Sequence, residues 1–265
     1  MATNQINRVE KKKNQFQVTL SDGQTLCVSE EILIRYQLLK GREITDEQWE
    51  EIQVENRRST IYQSALNYLS YGLRTEKEVV QYMQRKEFIT EDIQPIIQRL
   101  KEYQLIDDRL YAESYVRTYC REGVKGPRFI AQKLKEKGVS SEDIEHGLHY
   151  YSLDDCLHNA LYQVEKLQRK YQRKTIFEQK QKIRQSLLTK GFPNDIINQA
   201  LAESTFEKDS EQEQRQLKKE IDKWWEKYQK EDRYKRRQKI SAKLWNKGFS
   251  YDEIQQQLDL KEDEE

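Results

Sequence analysis

The chain has 265 residues, 35% of them charged and 35% hydrophobic, with a net charge of +1, nine Gly and three Pro. That lean apolar share suits small helical units with wide solvated faces, and the scarcity of Gly and Pro argues against a turn-rich β protein. No run of about 18 apolar residues is present, and the N-terminus lacks the charged and apolar regions of a signal peptide, so a cytoplasmic protein with no membrane partner is expected.

In chain order, Phe16–Leu20 alternates with period 2, Ser21–Gln24 supplies a turn, and Thr25–Val28 resumes the extended pattern, which together predict a β-hairpin. A helix is expected over Glu30–Lys40, stopped by Gly41. Thr45 with Gln48 then forms a capping box for a second helix running through Glu55. Residues 1–58 therefore read as a small hairpin-plus-helix module.

Beyond it a short phrase recurs four times: Lys86-Glu87-Phe88, Lys137-Gly138-Val139, Lys190-Gly191-Phe192 and Lys247-Gly248-Phe249, at spacings of 51, 53 and 57 residues. Each ends a basic amphipathic segment and precedes an acidic stretch containing Ile93, Ile144, Ile196 or Ile254. Gly past a helix end takes the left-handed conformation without a Cβ clash, the next apolar residue packs back, and Ser or Thr starts the following helix. Longer amphipathic helices precede the phrases over Ile61–Tyr71, Arg109–Arg121, Leu157–Tyr171 and Gln214–Gln229, giving three helices per unit.

The fold class predicted is mainly α: tandem three-helix, helix-turn-helix-like repeats in an elongated, curved array behind the N-terminal module. The repeats span 59–104, 105–152, 153–204 and 211–260, with an acidic tail at 261–265. In the first, Leu66, Leu69, Val79, Met83, Phe88, Ile93, Ile96, Ile97 and Leu100 are the candidate core. Glu87 stands where the other phrases carry Gly, so its turn either holds strain of about 1 kcal/mol or closes differently.

Cys27, Cys120 and Cys156 are too scattered for a disulfide framework, and Cys156 with His146, His149 and His158 lacks the paired spacing of a zinc site. No phosphate loop, metalloprotease helix, nucleophile elbow or paired-Cys motif occurs, so no enzyme activity, catalytic residue, cofactor, metal or small-molecule substrate is expected. The pair Asp107-Asp108 falls where a helix begins and reads as capping.

Charge is unevenly placed. Residues 116–137 carry seven Lys or Arg against two Glu, and 165–190 carry nine against two. Arg117 and Arg121 share a helix face at spacing four, and Lys125 and Arg128 add cations beside Pro127, a pattern that fits either an anion site or a solvated basic face with local ion pairs. Arg173 with Lys174, and Arg236 with Arg237, repeat the theme before later second helices. Tyr111, Tyr115 and Tyr119 at spacing four, and Trp224-Trp225, suit packing first, with base stacking or an interface anchor as the alternative.

The stretches Ala65–Tyr71 with Thr75–Glu78, Leu105–Ala112, and Gly126-Pro127-Arg128 continuing through Ile130 and Leu134 to Val139 together resemble the RecX family of recombination regulators. The resemblance is strongest over residues 61–150, and the hairpin and later repeats look like longer members from low-GC Gram-positive bacteria. It implies tandem three-helix repeats and a partner, the RecA recombinase filament on single-stranded DNA. In that filament's groove, members damp ATP hydrolysis and strand exchange in homologous recombination, DNA repair and the SOS response. On that resemblance Arg117, Arg121, Lys125, Arg128 and Lys133 are the first candidates for the contacting face. Leu110, where the family often has Phe, and Glu87 depart from the pattern. The competing reading is a stand-alone module that grips single- or double-stranded DNA by counterion release.

Overall fold

A computed structural model describes residues 3–13, 15–207 and 210–263. The chain divides into two compact units, Met1–Ala112 with Lys135–Asp143, and Glu113–Leu134 with Ile144–Glu265.

In the first unit, strands β1 (Thr3–Lys12), β2 (Gln15–Leu20), β3 (Thr25–Val28) and β4 (Glu43–Thr45) form an antiparallel sheet in the order β3-β2-β1-β4. The predicted hairpin is β2–β3, with Phe16 opposite Val28; β1 and β4 extend it on the β2 side. Helix α1 covers only Glu30–Arg35, shorter than expected. Gln37 turns the chain at φ 46, and the Leu38 amide donates to the Leu33 carbonyl, so Leu38 is buried under the sheet instead of continuing the helix. Ile6, Val18, Leu20, Val28, Ile32, Ile44, Trp49 and Ile52 complete this core.

The predicted break near residue 58 does not occur: α2 runs unbroken from Asp46 to Leu69 behind the Thr45–Gln48 capping box. Its first turns cover the sheet through Trp49 and Ile52, and its last turns enter the next core through Ile61 and Ala65. That next core joins α2 to α3 (Glu76–Arg85) and α4 (Thr90–Glu102) around Val79, Met83, Ile93, Ile96, Ile97 and Leu100, all buried as expected. Leu66, Leu69 and Phe88 are only partly buried against it. Thr90 does not cap α4; its N-cap is Ile89, with no side-chain cap. The buried Asp92 carboxylate is instead bridged by Arg57 and Arg58 of α2, each at 3.2 Å, which ties the two helices together.

Asp107 caps α5 (Asp108–Glu122), its carboxylate accepting from the Leu110 amide at 2.9 Å, while Asp108 accepts from the Glu76 amide at 2.8 Å. Both carboxylates therefore sit at helix starts, where the dipole favours negative charge. Helices α6 (Pro127–Glu136) and α7 (Ser141–Leu148) follow, α7 capped by Ser140.

The second unit contains α8 (Leu153–Tyr171), α9 (Ile176–Thr189) and α10 (Asn194–Glu203), then α11 (Ser210–Lys227), α12 (Arg233–Trp245) and α13 (Tyr251–Asp263). Cys156, Ala160, Val164, Ile183, Leu187, Phe192, Ile197 and Ala200 are buried within the first three. Leu217, Ile221, Trp225, Ile240, Leu244, Phe249, Ile254 and Leu258 form the core of the last three. The expected acidic tail does not begin at 261: Lys261–Asp263 belong to α13, and Glu264 and Glu265 lie outside the described residues.

All four turn phrases close alike. Gly138, Gly191 and Gly248 have φ of 89, 84 and 84, and Glu87 reaches 59. The Phe88 amide bonds back to Met83 as Phe192 does to Leu187 and Phe249 to Leu244. Glu87 thus takes the strained option of the two expected.

Candidate partner-binding surface

Three of the four phrases do more than end a helix. Each sits against the start of a second helix from the preceding repeat, more than 50 residues earlier in the chain.

In the first unit, the Thr75 hydroxyl donates to the Lys137 carbonyl at 2.8 Å and Lys77 Nζ to the Glu136 carbonyl at 2.9 Å. Lys137 Nζ returns to Glu78 Oε1 at 2.6 Å, and Glu78 also closes the Thr75 capping box. Burial alone would raise the Glu78 carboxyl, but the Lys137 hydrogen bond and charge hold it below its ordinary range; the same contact outweighs burial at Lys137 and lifts that ammonium above its ordinary range. In the second unit the Thr175 hydroxyl likewise bonds the Lys247 carbonyl, and Lys247 Nζ pairs with Glu220 at 2.5 Å.

The middle contact is built differently. The Gly126 amide donates to the Lys190 carbonyl at 2.8 Å and the Arg128 amide to the Gly191 carbonyl at 3.1 Å, so backbone meets backbone. A Cβ on Gly126 would lie 2.5 Å from the Gly191 oxygen, and one on Gly191 would lie 2.3 Å from the Phe129 nitrogen. The capping-box position held by Glu78 and Glu178 elsewhere is occupied here by Phe129. Lys190 Nζ donates to the neutral Gln163 Oε1 at 2.8 Å, at the position where Lys247 meets Glu220, and Gln163 is itself fixed by its amide on the Gly123 carbonyl at 2.9 Å. Burial, and then the charges of Lys125, Lys166 and Lys170, push the Lys190 ammonium below its ordinary range.

All nine residues singled out from the sequence fall in the second unit. Lys125 and Lys133 come together over the Phe129 ring, at 4.0 and 5.8 Å from its centroid, with Tyr119 at 6.4 Å on the same ring. Arg117 lies over Tyr150 at 3.8 Å, and Arg117, Arg121 and Arg128 are all exposed. Arg173 is exposed, and Lys174 sits 3.8 Å from Glu178. Arg236 and Arg237 are engaged inside the fourth repeat: Arg236 covers Trp225 at 3.9 Å, and Arg237 pairs with Asp259 at 2.6 Å and Glu262 at 3.2 Å. Trp225 is core, and Trp224 stacks on Tyr228, so neither indole stands open as a stacking platform.

Motif spacing marks Lys190 only as part of a turn phrase and does not single out Lys166. The signal that could do so is the contrast of Gly126-Pro127-Arg128-Phe129 with Thr75-Glu76-Lys77-Glu78 and Thr175-Ile176-Phe177-Glu178, which removes a hydroxyl and a carboxylate at one junction.

Burial pushes the Cys156 thiol up to about 12, so it is protonated at neutral pH and a poor nucleophile. His146 bonds Glu113 at 2.8 Å, and among the described residues no three His, Cys, Asp or Glu side chains are placed to hold a metal ion. No described helix is long and apolar enough to cross a membrane.

Comparison with known proteins gives matches along the repeats. Residues 62–100 match the first three-helix domain of RecX, 107–148 the second, and both 154–201 and 211–258 the third. Among curated proteins, a "Regulatory protein RecX" of Enterococcus faecalis is 47% identical over 258 residues, covering 97% of each chain. One of the same name from Levilactobacillus brevis is 36% identical, again covering 97% of each. Of solved structures, a "Crystal structure of regulatory protein RecX" aligns with TM-score 0.66 at 32% identity, over 76% of this chain and all of that one. RecX from Lactobacillus salivarius aligns with TM-score 0.54 at 39% identity, over 56% of this chain and 97% of that one.

Proposed function

Since the chain belongs to the RecX family, whose members it matches nearly end to end, we propose that it regulates the RecA recombinase by docking on the recombinase–DNA filament and inhibiting its ATPase and strand-exchange activities. The observation that supports the reading is the 47% identity, over 97% of both chains, with a protein named "Regulatory protein RecX". It acts without a reaction centre of its own, in the cytoplasm, in recombination and DNA repair, and needs no cofactor.

The docking face in this reading is the cationic part of the second unit. Arg117 and Arg121 project from α5 one turn apart, and Arg128 projects from the start of α6. Exposed guanidinium groups suit carboxylate and phosphate partners alike, because the planar fork matches both. Rim charges of this kind steer association and set orientation.

A titration of the recombinase's DNA-dependent ATPase tests it. Inhibition is expected well below one regulator per recombinase, since blocking filament growth acts on many protomers. The triple variant Arg117→Glu, Arg121→Glu, Arg128→Glu is expected to need about tenfold more protein for the same inhibition. An ATPase rate unchanged at equimolar wild-type protein overturns the proposal.

A further inference from the structure

The same junction is built three times, and its lysine has a carboxylate partner in two of them. Lys137 meets Glu78 at 2.6 Å and Lys247 meets Glu220 at 2.5 Å. Lys190 meets the uncharged oxygen of Gln163 and, among the described residues, makes no ion pair with a carboxylate. Around it the sequence adds positive charge instead of removing it. Lys166 and Lys170 stand three and seven residues beyond Gln163 on α8, the spacing that puts side chains on one helix face. Lys125 immediately precedes Gly126, whose amide holds the Lys190 carbonyl. Its ammonium sits over Phe129, the ring that replaces the missing carboxylate.

Gathering ammonium groups without counter-charge is unfavourable, and a folded chain tolerates it where an outside anion supplies the balance. All four groups are lysines. A planar carboxylate is best held by an arginine fork, whereas ammonium point charges approaching from several directions suit a tetrahedral phosphate. The aromatic rings beside the cluster, Phe129 and Tyr119, are the kind of surface that accompanies phosphate contacts along a single strand.

We propose that Lys125, Lys166, Lys170 and Lys190 form a binding site for a backbone phosphate of a single-stranded nucleic acid, at the junction where Gln163 stands at the position of Glu220 in the last junction and Phe129 at the position of Glu78 in the first. The site belongs to the isolated chain and does not depend on recombinase docking, so either reading can fail alone.

The deciding variant is Gln163→Glu, which installs at the middle junction the carboxylate that Glu220 supplies, at the same spacing, to Lys247 in the last one. Binding of the full-length protein to a labelled single-stranded oligonucleotide is measured by fluorescence anisotropy at several salt concentrations. Gln163→Glu is expected to weaken binding about tenfold. Because that change also removes the hydrogen bond to Gly123, the surface pair Lys166→Gln, Lys170→Gln serves as the second variant. It is expected to lower the log–log salt slope by about 1.4, two contacts at about 0.7 each for single strands. Unchanged affinity and slope in both variants overturn the site. Poly-glutamate that binds as tightly, with the same loss in Gln163→Glu, overturns nucleic acid in favour of an acidic protein. Pyrophosphate that fills the site while the oligonucleotide does not bind overturns a strand as the source.

Discussion

The Lys137 and Lys190 junctions perform one structural task with different materials. At Lys137, a hydroxyl, a capping-box glutamate and a lysine form a charge-balanced contact. At Lys190, backbone amides meet carbonyls directly, and the charges left over share one sign. The architecture requires only that a left-handed turn fit against a helix start; the charge balance around it is free to vary. One junction can therefore be charge-balanced while another, at the corresponding place in the next repeat, leaves its positive charges unbalanced.

Substitutions that remove the close approach should produce the largest effect. Gly191→Ala would place a methyl 2.3 Å from a backbone nitrogen at a φ of 84, and is expected to destabilise by about 3 kcal/mol in urea denaturation. Gly138→Ala meets Lys77 side-chain atoms that can move aside, so a smaller loss of about 1.5 kcal/mol is expected. Equal losses at the two positions would break the distinction between a backbone-built and a side-chain-built junction.

Removing the balancing charge comes next. Glu78→Gln leaves Lys137 with a neutral acceptor, as Lys190 already has. The pair's side chains are 30% and 21% exposed, so solvent screening limits the expected loss to about 1 kcal/mol. No change in the denaturation midpoint would show that the carboxylate is dispensable there too.

The smallest effect lies in alkaline pH dependence. Lys137 is held above the ordinary 10.5, so its contribution is present below that pH and is lost as pH rises through its folded value. Lys190 is held below 10.5, so the unfolded chain keeps that proton longer and stability should rise with pH between the folded value and 10.5. Comparing wild type with Lys190→Met between pH 8 and 10.5 should show that rise only in wild type. Parallel curves would mean that Lys190 feels no net repulsion.

Much of this was legible in the residues. The recurring phrase of Lys, then Gly or Glu, then Phe or Val marked each turn, and the apolar periodicity of Val79, Met83, Ile93 and Leu100 marked a core. Elements with weak patterning were not legible. β1 offers only Ile6 and Val9 among polar residues and slips register between Ile6 and Arg8, and β4 has three residues. The continuity of α2 was hidden by the polar run Glu55–Ser59, although no Gly or Pro interrupts residues 46–69. The junctions themselves join residues about 60 to 70 apart, a separation no local period reports; what the sequence did hold was the absence of Gly at 87.

That absence has a consequence for how such chains lengthen. Glu87 sits in an exposed turn with no earlier repeat to receive it, and its side chain would obstruct the close seating that Gly138, Gly191 and Gly248 provide. A unit placed ahead of the first would meet Glu87 at that phrase, and seating of the kind seen at Gly138, Gly191 and Gly248 would require a Gly there.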